Sequence, residues 1–227
     1  MPEAPSGPNS SPASNMSSAG RVRFVPSGRP RPRLAPRRVG ILGGSFNPAH
    51  EGHLEISRTA LRRLGLDEVW WLVSPQNPLK TVAGMASLPE RVRSARTLAR
   101  DPRIRVTAME QDLRTRYTAD TLTALQRRYP KVRFVWLMGA DNLSDISRWE
   151  RWTQIFHGMP VAVLARPSYS LKSLAAKAAR RFGRFRIPEQ AARTLPERRP
   201  PAWVFVVGRL NPLSATAIRQ ARGSKRR

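Results

Sequence analysis

"RVGILGGSFNPAHEGHLEISRTALRRLG" runs from Arg38 to Gly65. Its opening, Arg38–Gly44, is a short apolar run closed by two glycines, the pattern of a buried strand. Its second half places Leu54, Ile56, Ala60, Leu61 and Leu64 near helical spacing, with Gly65 as a stop. Between the two lies "GGSFNPAHEGH", Gly43 to His53, which holds two of the chain's three histidines. Gly43 and Gly44 let the backbone turn tightly and let a ligand come close. Pro48 sets the turn, and the spacing predicts a helix starting at Glu51 or Gly52. The free N–H groups and positive dipole end of that helix face where a phosphate can sit. His50 and His53, three apart, can face one way in the first turn and donate to phosphate oxygens. The bland alternative is a glycine-proline turn with two surface histidines.

Outward from this stretch, short apolar runs alternate with amphipathic ones. "EVWWLVSP", "IRVTAM", "VRFVWLMGAD", "VAVLARP" and "WVFVV" read as further strands. "SLPERVRSARTLARDP" reads as a helix, with Ser87 and Glu90 in capping-box spacing and Pro102 closing it. "TADTLTALQRRYP" is another, with Thr118 as its cap, and "SATAIRQARG" is the last. The alternation implies an α/β fold, a doubly wound and mainly parallel sheet with helices on both faces. Ligands in such folds bind beyond the carboxyl ends of the strands.

Residues 1–37 are rich in Pro, Ser and Arg without a hydrophobic period, and residues 223–227 are a basic tail. Neither can bury enough apolar surface to offset chain entropy, so a single domain over 38–222 is expected. The absence of cysteine excludes disulfides and thiolate chemistry. No apolar run reaches membrane-spanning length and no signal peptide is visible, so the expected location is the cytoplasm. The formal charge of +26 attracts polyanions, both nucleic acid and small phosphorylated molecules. Net charge alone does not separate these partners.

The string Gly43–His53 resembles the HxGH signature of the nucleotidyltransferase superfamily, G-G-x-F-[DN]-P-x-H-x-G-H, with Gly43, Gly44, Phe46, Asn47, Pro48, His50, Gly52 and His53 all in place. "LSATAIR", Leu213–Arg219, resembles that superfamily's second motif; Ala215 departs from it, where many members carry a hydroxyl. "WWLVSPQNPLK", "RYTADTL", "GADNL" with "RWERW", and "VLARP" follow in an order similar to the bacterial nicotinate-nucleotide adenylyltransferases. The resemblance covers about residues 39–222. It implies a Rossmann-like fold and adenylyl transfer from ATP to nicotinate mononucleotide, with Mg2+ carried in by ATP.

The resemblance also implies a site. His50, His53 and Arg219 would be catalytic. Gly43, Gly44, Ser45, Phe46, Gly52, Gly139, Asp141, Ser214 and Thr216 would bind ATP. Asn47, Thr118 and Trp149 would bind the mononucleotide. Read from the residues alone, Asp141 is either an acceptor for ribose hydroxyls or a helix cap. Trp149 is either a stacking platform or core. Lys80 is best read as solvated, and Trp152 and His157 as structural. No general base is required, because a phosphate monoester with a second pKa near 6 is already mostly a dianion at neutral pH. No carboxylate cluster suits a protein-held metal. The same chemistry on nicotinamide mononucleotide or another phosphorylated acceptor is the nearest alternative. A basic nucleic-acid-binding protein is a more distant one, since no recognition signature accompanies the charge.

Overall fold

The Arg38–Gly44 run folds as the expected strand, one residue longer at its start. β1 spans Arg37–Gly44, so Arg37 belongs to the sheet rather than to the tail. The structure is a computed structural model, and it describes residues 36–75, 85–165 and 170–207. After β1 come α1 (Glu51–Arg63), β2 (Glu68–Val73), α2 (Leu88–Leu98), β3 (Ile104–Thr107), α3 (Met109–Leu113) and α4 (Thr118–Arg128). β4 (Val132–Gly139), α5 (Ala140–Asp145), α6 (Trp152–Gly158) and β5 (Val161–Ala165) follow. The chain then runs through α7 (Ser170–Leu174), α8 (Lys177–Arg181), β6 (Arg186–Ile187) and β7 (Trp203–Val207).

The seven strands form one sheet in the order β3-β2-β1-β4-β5-β7-β6, and every neighbouring pair is parallel. A parallel sheet is covered on both faces, which is why its strands read as nearly unbroken apolar runs. All six residues of β2 are buried. On one face Leu42, Trp71, Val135, Leu137, Ala162 and Val204 pack with Leu54, Ala60 and Leu61 of α1 and with Leu64 just after it, joined by Ala192 and Leu195. On the other, Trp70 meets Tyr129 and Phe134 edge to face, and Phe182 stacks on Phe156 with ring centroids 4.4 Å apart.

At the amino end of the sheet the buried carboxylate of Glu68 is tied to Arg37, to Arg105 at 3.0 Å and to the indole N–H of Trp70 at 2.9 Å. Paired in this way, a buried charge is tolerable. The opposite end is where the order of strands reverses. β1 has β2 on one side and β4 on the other, and the crevice beyond their carboxyl ends is the ligand position of such sheets.

Three local expectations are corrected. Tyr117, not Thr118, is the N-cap residue of α4, and Thr118 is its first helical residue. α2 ends at Leu98, before Pro102, where Ala99 leaves the helical region. The stretch between β5 and β7, for which no element is predicted, carries α7, α8, the two-residue β6 and a 3-10 helix over Glu189–Glu197. None of these is long enough to show a strand or α-helix period.

Candidate active site

β1 delivers Gly43 and Gly44 to the reversal point, and α1 begins at Glu51, seven residues after Gly44. His50 is the N-cap residue of α1. Its Nδ1 accepts the N–H of Gly52 at 3.1 Å, and Nδ1 of His53 accepts the N–H of His50 at 3.2 Å. The two rings lie 4.0 Å apart, His50 buried and His53 half-buried. This reciprocal box is the geometry usually built from Ser or Thr with Glu, here made from imidazoles. It corrects one expectation: the N–H of Gly52 is committed to His50, and that of His53 to the His50 carbonyl at 2.9 Å. Two of the N–H groups at the helix start are thereby taken within the chain. With Nδ1 accepting, the neutral ring carries its hydrogen on Nε2, so each ring is a donor at that atom.

The turn before the helix is held from several sides. Phe46 has φ 47°, a left-handed value that costs a non-glycine residue about 1 kcal/mol or more. Its ring is buried, stacked on Trp71 at 5.0 Å and tilted against His53 at 4.6 Å. Phe46 thus faces the core with its side chain and can meet a ligand only with its backbone. The Asn47 side-chain oxygen accepts the N–H of Ala86 at 3.2 Å, fastening the turn to the lead-in of α2. Ser57, buried in α1, accepts the Trp71 indole N–H and donates to the His53 carbonyl, both at 2.8 Å.

β4 ends beside β1, which brings Gly139 and Asp141 to the same crevice as Gly43. Gly139 is the N-cap residue of α5. Asp141 stands in the first turn of α5 with its carboxylate exposed and folded back over Gly139, in the space a Cβ would take. The helix-cap reading of Asp141 is thereby excluded. Trp136 of β4 lies across Gly43: a Cβ added there would sit 2.5 Å from the end of the indole ring. The same indole meets half-buried Trp149 edge to face at 6.4 Å. Trp149 is therefore neither fully core nor free, and one side of its ring is packed. Half-buried Trp152 packs edge-on against Phe156 and Phe182.

Thr118 and Trp149 lie 31 residues apart in sequence, and Arg151 draws their segments together. Its guanidinium pairs with Asp120 of α4 at 2.5 Å and lies 5.5 Å from the centre of the Tyr117 ring. The start of α4 and the loop carrying Trp149 thus lie side by side. His157 is exposed at the end of α6 and packs on Phe182. Arg219, Ser214 and Thr216, with Ala215 and Lys80, lie outside the described residues. Residues that sequence patterns do not single out include Arg91, buried in α2, and Glu110, partly buried in α3, whose carboxyl is pushed up to about 7 by burial. Among the described residues no three His, Asp or Glu side chains gather to hold a metal ion, and no helix is long and apolar enough to cross a membrane.

Comparison with known proteins agrees with this architecture. The family model described as cytidylyltransferase-like matches residues 41–221. A probable nicotinate-nucleotide adenylyltransferase of Methylorubrum extorquens is 57% identical over 182 residues, 80% of this chain and 98% of that protein. One of the same name from Parvibaculum lavamentivorans is 53% identical over 186 residues, 82% of this chain and 92% of that protein. Among solved structures, nicotinic acid mononucleotide adenylyltransferase of Plasmodium falciparum, complexed with NaAD, shares the fold. Its TM-score is 0.61 at 14% identity, over 81% of this chain and 83% of that one. By the extent of the family match and the identity to these relatives, the chain belongs to the cytidylyltransferase-like family.

Proposed function

We propose that this chain is a nicotinate-nucleotide adenylyltransferase: it joins nicotinate mononucleotide to the AMP part of ATP, releasing pyrophosphate and forming nicotinate adenine dinucleotide. The observation that carries the reading is the reciprocal imidazole cap at the start of α1, beside the point where the strand order reverses between β1 and β4. The names of the relatives at 57% and 53% identity support the choice of acceptor.

In this reading a phosphate oxygen of the mononucleotide attacks the α-phosphorus of ATP, and the bond to the bridging oxygen of pyrophosphate breaks. The attacking group is already a dianion, so the work of the site is alignment and charge stabilisation. Nε2 of His50 and of His53 donates to phosphate oxygens as charge moves onto pyrophosphate. Gly43, Gly44, Ser45, Phe46 and Gly52 form the backbone against which the phosphates lie, and Gly139 and Asp141 take the adenosine, Asp141 accepting from ribose hydroxyls. Ser214, Thr216 and Arg219 complete the triphosphate grip from the second motif. Asn47, Thr118 and Trp149 receive the mononucleotide, Trp149 stacking on the pyridine with its unpacked side. Mg2+ enters with the ATP phosphates. The protein works in the cytoplasm without nucleic acid as a partner, and residues 1–35 are dispensable for turnover.

The test is a pyrophosphate-release assay with ATP and a panel of acceptors. Nicotinate mononucleotide is expected to give the highest kcat/KM. Preference for nicotinamide mononucleotide or phosphopantetheine reassigns the acceptor, and release with none of them overturns the reading.

A further inference from the structure

Arg91 is the buried cation of α2, only 3% exposed. Arginine is rarely buried without a carboxylate. Here burial alone pulls the guanidinium below its ordinary value, with no acid among the described residues offsetting it. Its donors go instead to four main-chain carbonyls. Nε donates to Ala86 at 2.9 Å, Nη1 to Ser45 at 2.7 Å and to Ser74 at 2.8 Å, and Nη2 to Pro75 at 2.8 Å. These oxygens belong to the turn after β1, the turn after β2 and the lead-in to α2. The Gly44 carbonyl next to them is also taken, by the N–H of Ser74 at 2.9 Å.

The consequence for a phosphate-binding turn is electrostatic. Carbonyl oxygens at the carboxyl ends of parallel strands present partial negative charge and repel a polyphosphate. Arg91 gathers them behind the turn. The C=O and N–H of a trans peptide point to opposite sides, so holding the Ser45 carbonyl on the guanidinium turns the Phe46 N–H away from it. The same bond restrains the residue before the left-handed Phe46. No carboxylate among the described residues neutralises the guanidinium, so it leaves a positive charge beneath the turn, in a buried setting where charge acts over longer range.

We infer that Arg91 is a positioning residue for the polyphosphate of ATP: by turning the Ser45, Ser74, Pro75 and Ala86 carbonyls inward it makes the turn after β1 an anion-accepting surface. The inference rests on the proposed function for its ligand.

The experiment compares wild type, Arg91→Ala and Arg91→Lys by Kd for ATP, by KM for ATP and for nicotinate mononucleotide, by kcat and by Tm. Arg91→Ala should lose about tenfold or more in kcat/KM for ATP while KM for the mononucleotide stays within about twofold. Arg91→Lys keeps the charge but cannot span four carbonyls, so it should fall between the two. If Arg91→Ala does not fold, the Lys variant carries the test through the same split between substrates. Guanidinium ion at non-denaturing concentration should restore part of the ATP-side loss in Arg91→Ala, and urea should not. ATP constants that stay at wild-type values, losses shared equally by both substrates, or recovery unaffected by guanidinium overturn the inference. Failure of wild type to turn over the mononucleotide is a different result. It removes the proposed function and leaves Arg91 to be judged on Kd for ATP.

Discussion

The backbone N–H of His50 donates to Nδ1 of His53 across 3.2 Å, so the ring of the second histidine is oriented by the main chain of the first. The Gly52 N–H does the same for His50 at 3.1 Å. Both neutral rings should therefore be Nε2–H tautomers, which nitrogen-15 chemical shifts of the histidines read directly. His53→Ala should lower kcat about a hundredfold with little change in KM, the size of effect seen when one donor to a developing oxyanion is lost. His50→Ala should behave alike. His53→Asn should recover part, since its amide still donates. Exposed His157 is the control, and His157→Ala should keep its kcat. Nδ1–H tautomers, or a control as damaged as the motif variants, would remove both histidines from the proposed chemistry.

Trp149 should govern the acceptor and not the nucleotide. Trp149→Ala is expected to raise KM for nicotinate mononucleotide about tenfold, a loss of roughly 1.4 kcal/mol that matches one lost aromatic contact. KM for ATP should move less than about twofold. Arg151→Ala, which frees the loop from Asp120, should shift the same constant in the same direction by less. Equal loss of both substrates shows that Trp149 only packs against Trp136.

Gly43 and Gly44 should differ in what they tolerate. A Cβ on Gly43 meets the Trp136 ring at 2.5 Å, whereas on Gly44 the nearest atom is the Phe46 ring at 3.5 Å. Overpacking a rigid indole costs about 1–3 kcal/mol. Gly43→Ala should lower Tm clearly and Gly44→Ala little, as thermal unfolding can measure. Equal Tm values for the two variants would show that Trp136 moves aside freely.

Glu110 gives a pH dependence with a definite sign. Burial raises its carboxyl from 4.5 to about 7, so between those values the folded chain holds a proton that the unfolded chain has lost. Stability contributed by the protonated form is complete below about 4.5 and declines as pH rises toward about 7. Glu110→Gln removes this decline. Its Tm advantage should be absent at the acid end of that window and present above it. An advantage independent of pH would assign the gain to packing.

Six of the seven strands, together with α1, α2 and α4, are legible as apolar periods, because a sheet covered on both faces leaves long hydrophobic runs. The Gly43–His53 turn is legible because glycine, proline and histidine have few reasons to cluster. The capping role of the histidines is not, since sequence does not say which ring nitrogen the backbone takes. Arg91 is hidden for a related reason. In a chain with 41 basic residues, one arginine on a helix looks like any other until its carbonyl partners are known. β6 and the Glu189–Glu197 turns escape because two residues, or a 3-10 helix, carry no readable period.

The reversal of strand order between β1 and β4 also divides responsibilities along the chain. The turn that carries His50 and His53 grows from β1, while Thr118, Arg151 and Trp149 come from segments flanking β4. Under the proposed function, the triphosphate meets chiefly the turn after β1 and the pyridine end of the mononucleotide chiefly the segments flanking β4, while Asn47 and Asp141 cross that division. Substitution in the second can retarget the enzyme to a different mononucleotide while the first keeps its hold on the triphosphate.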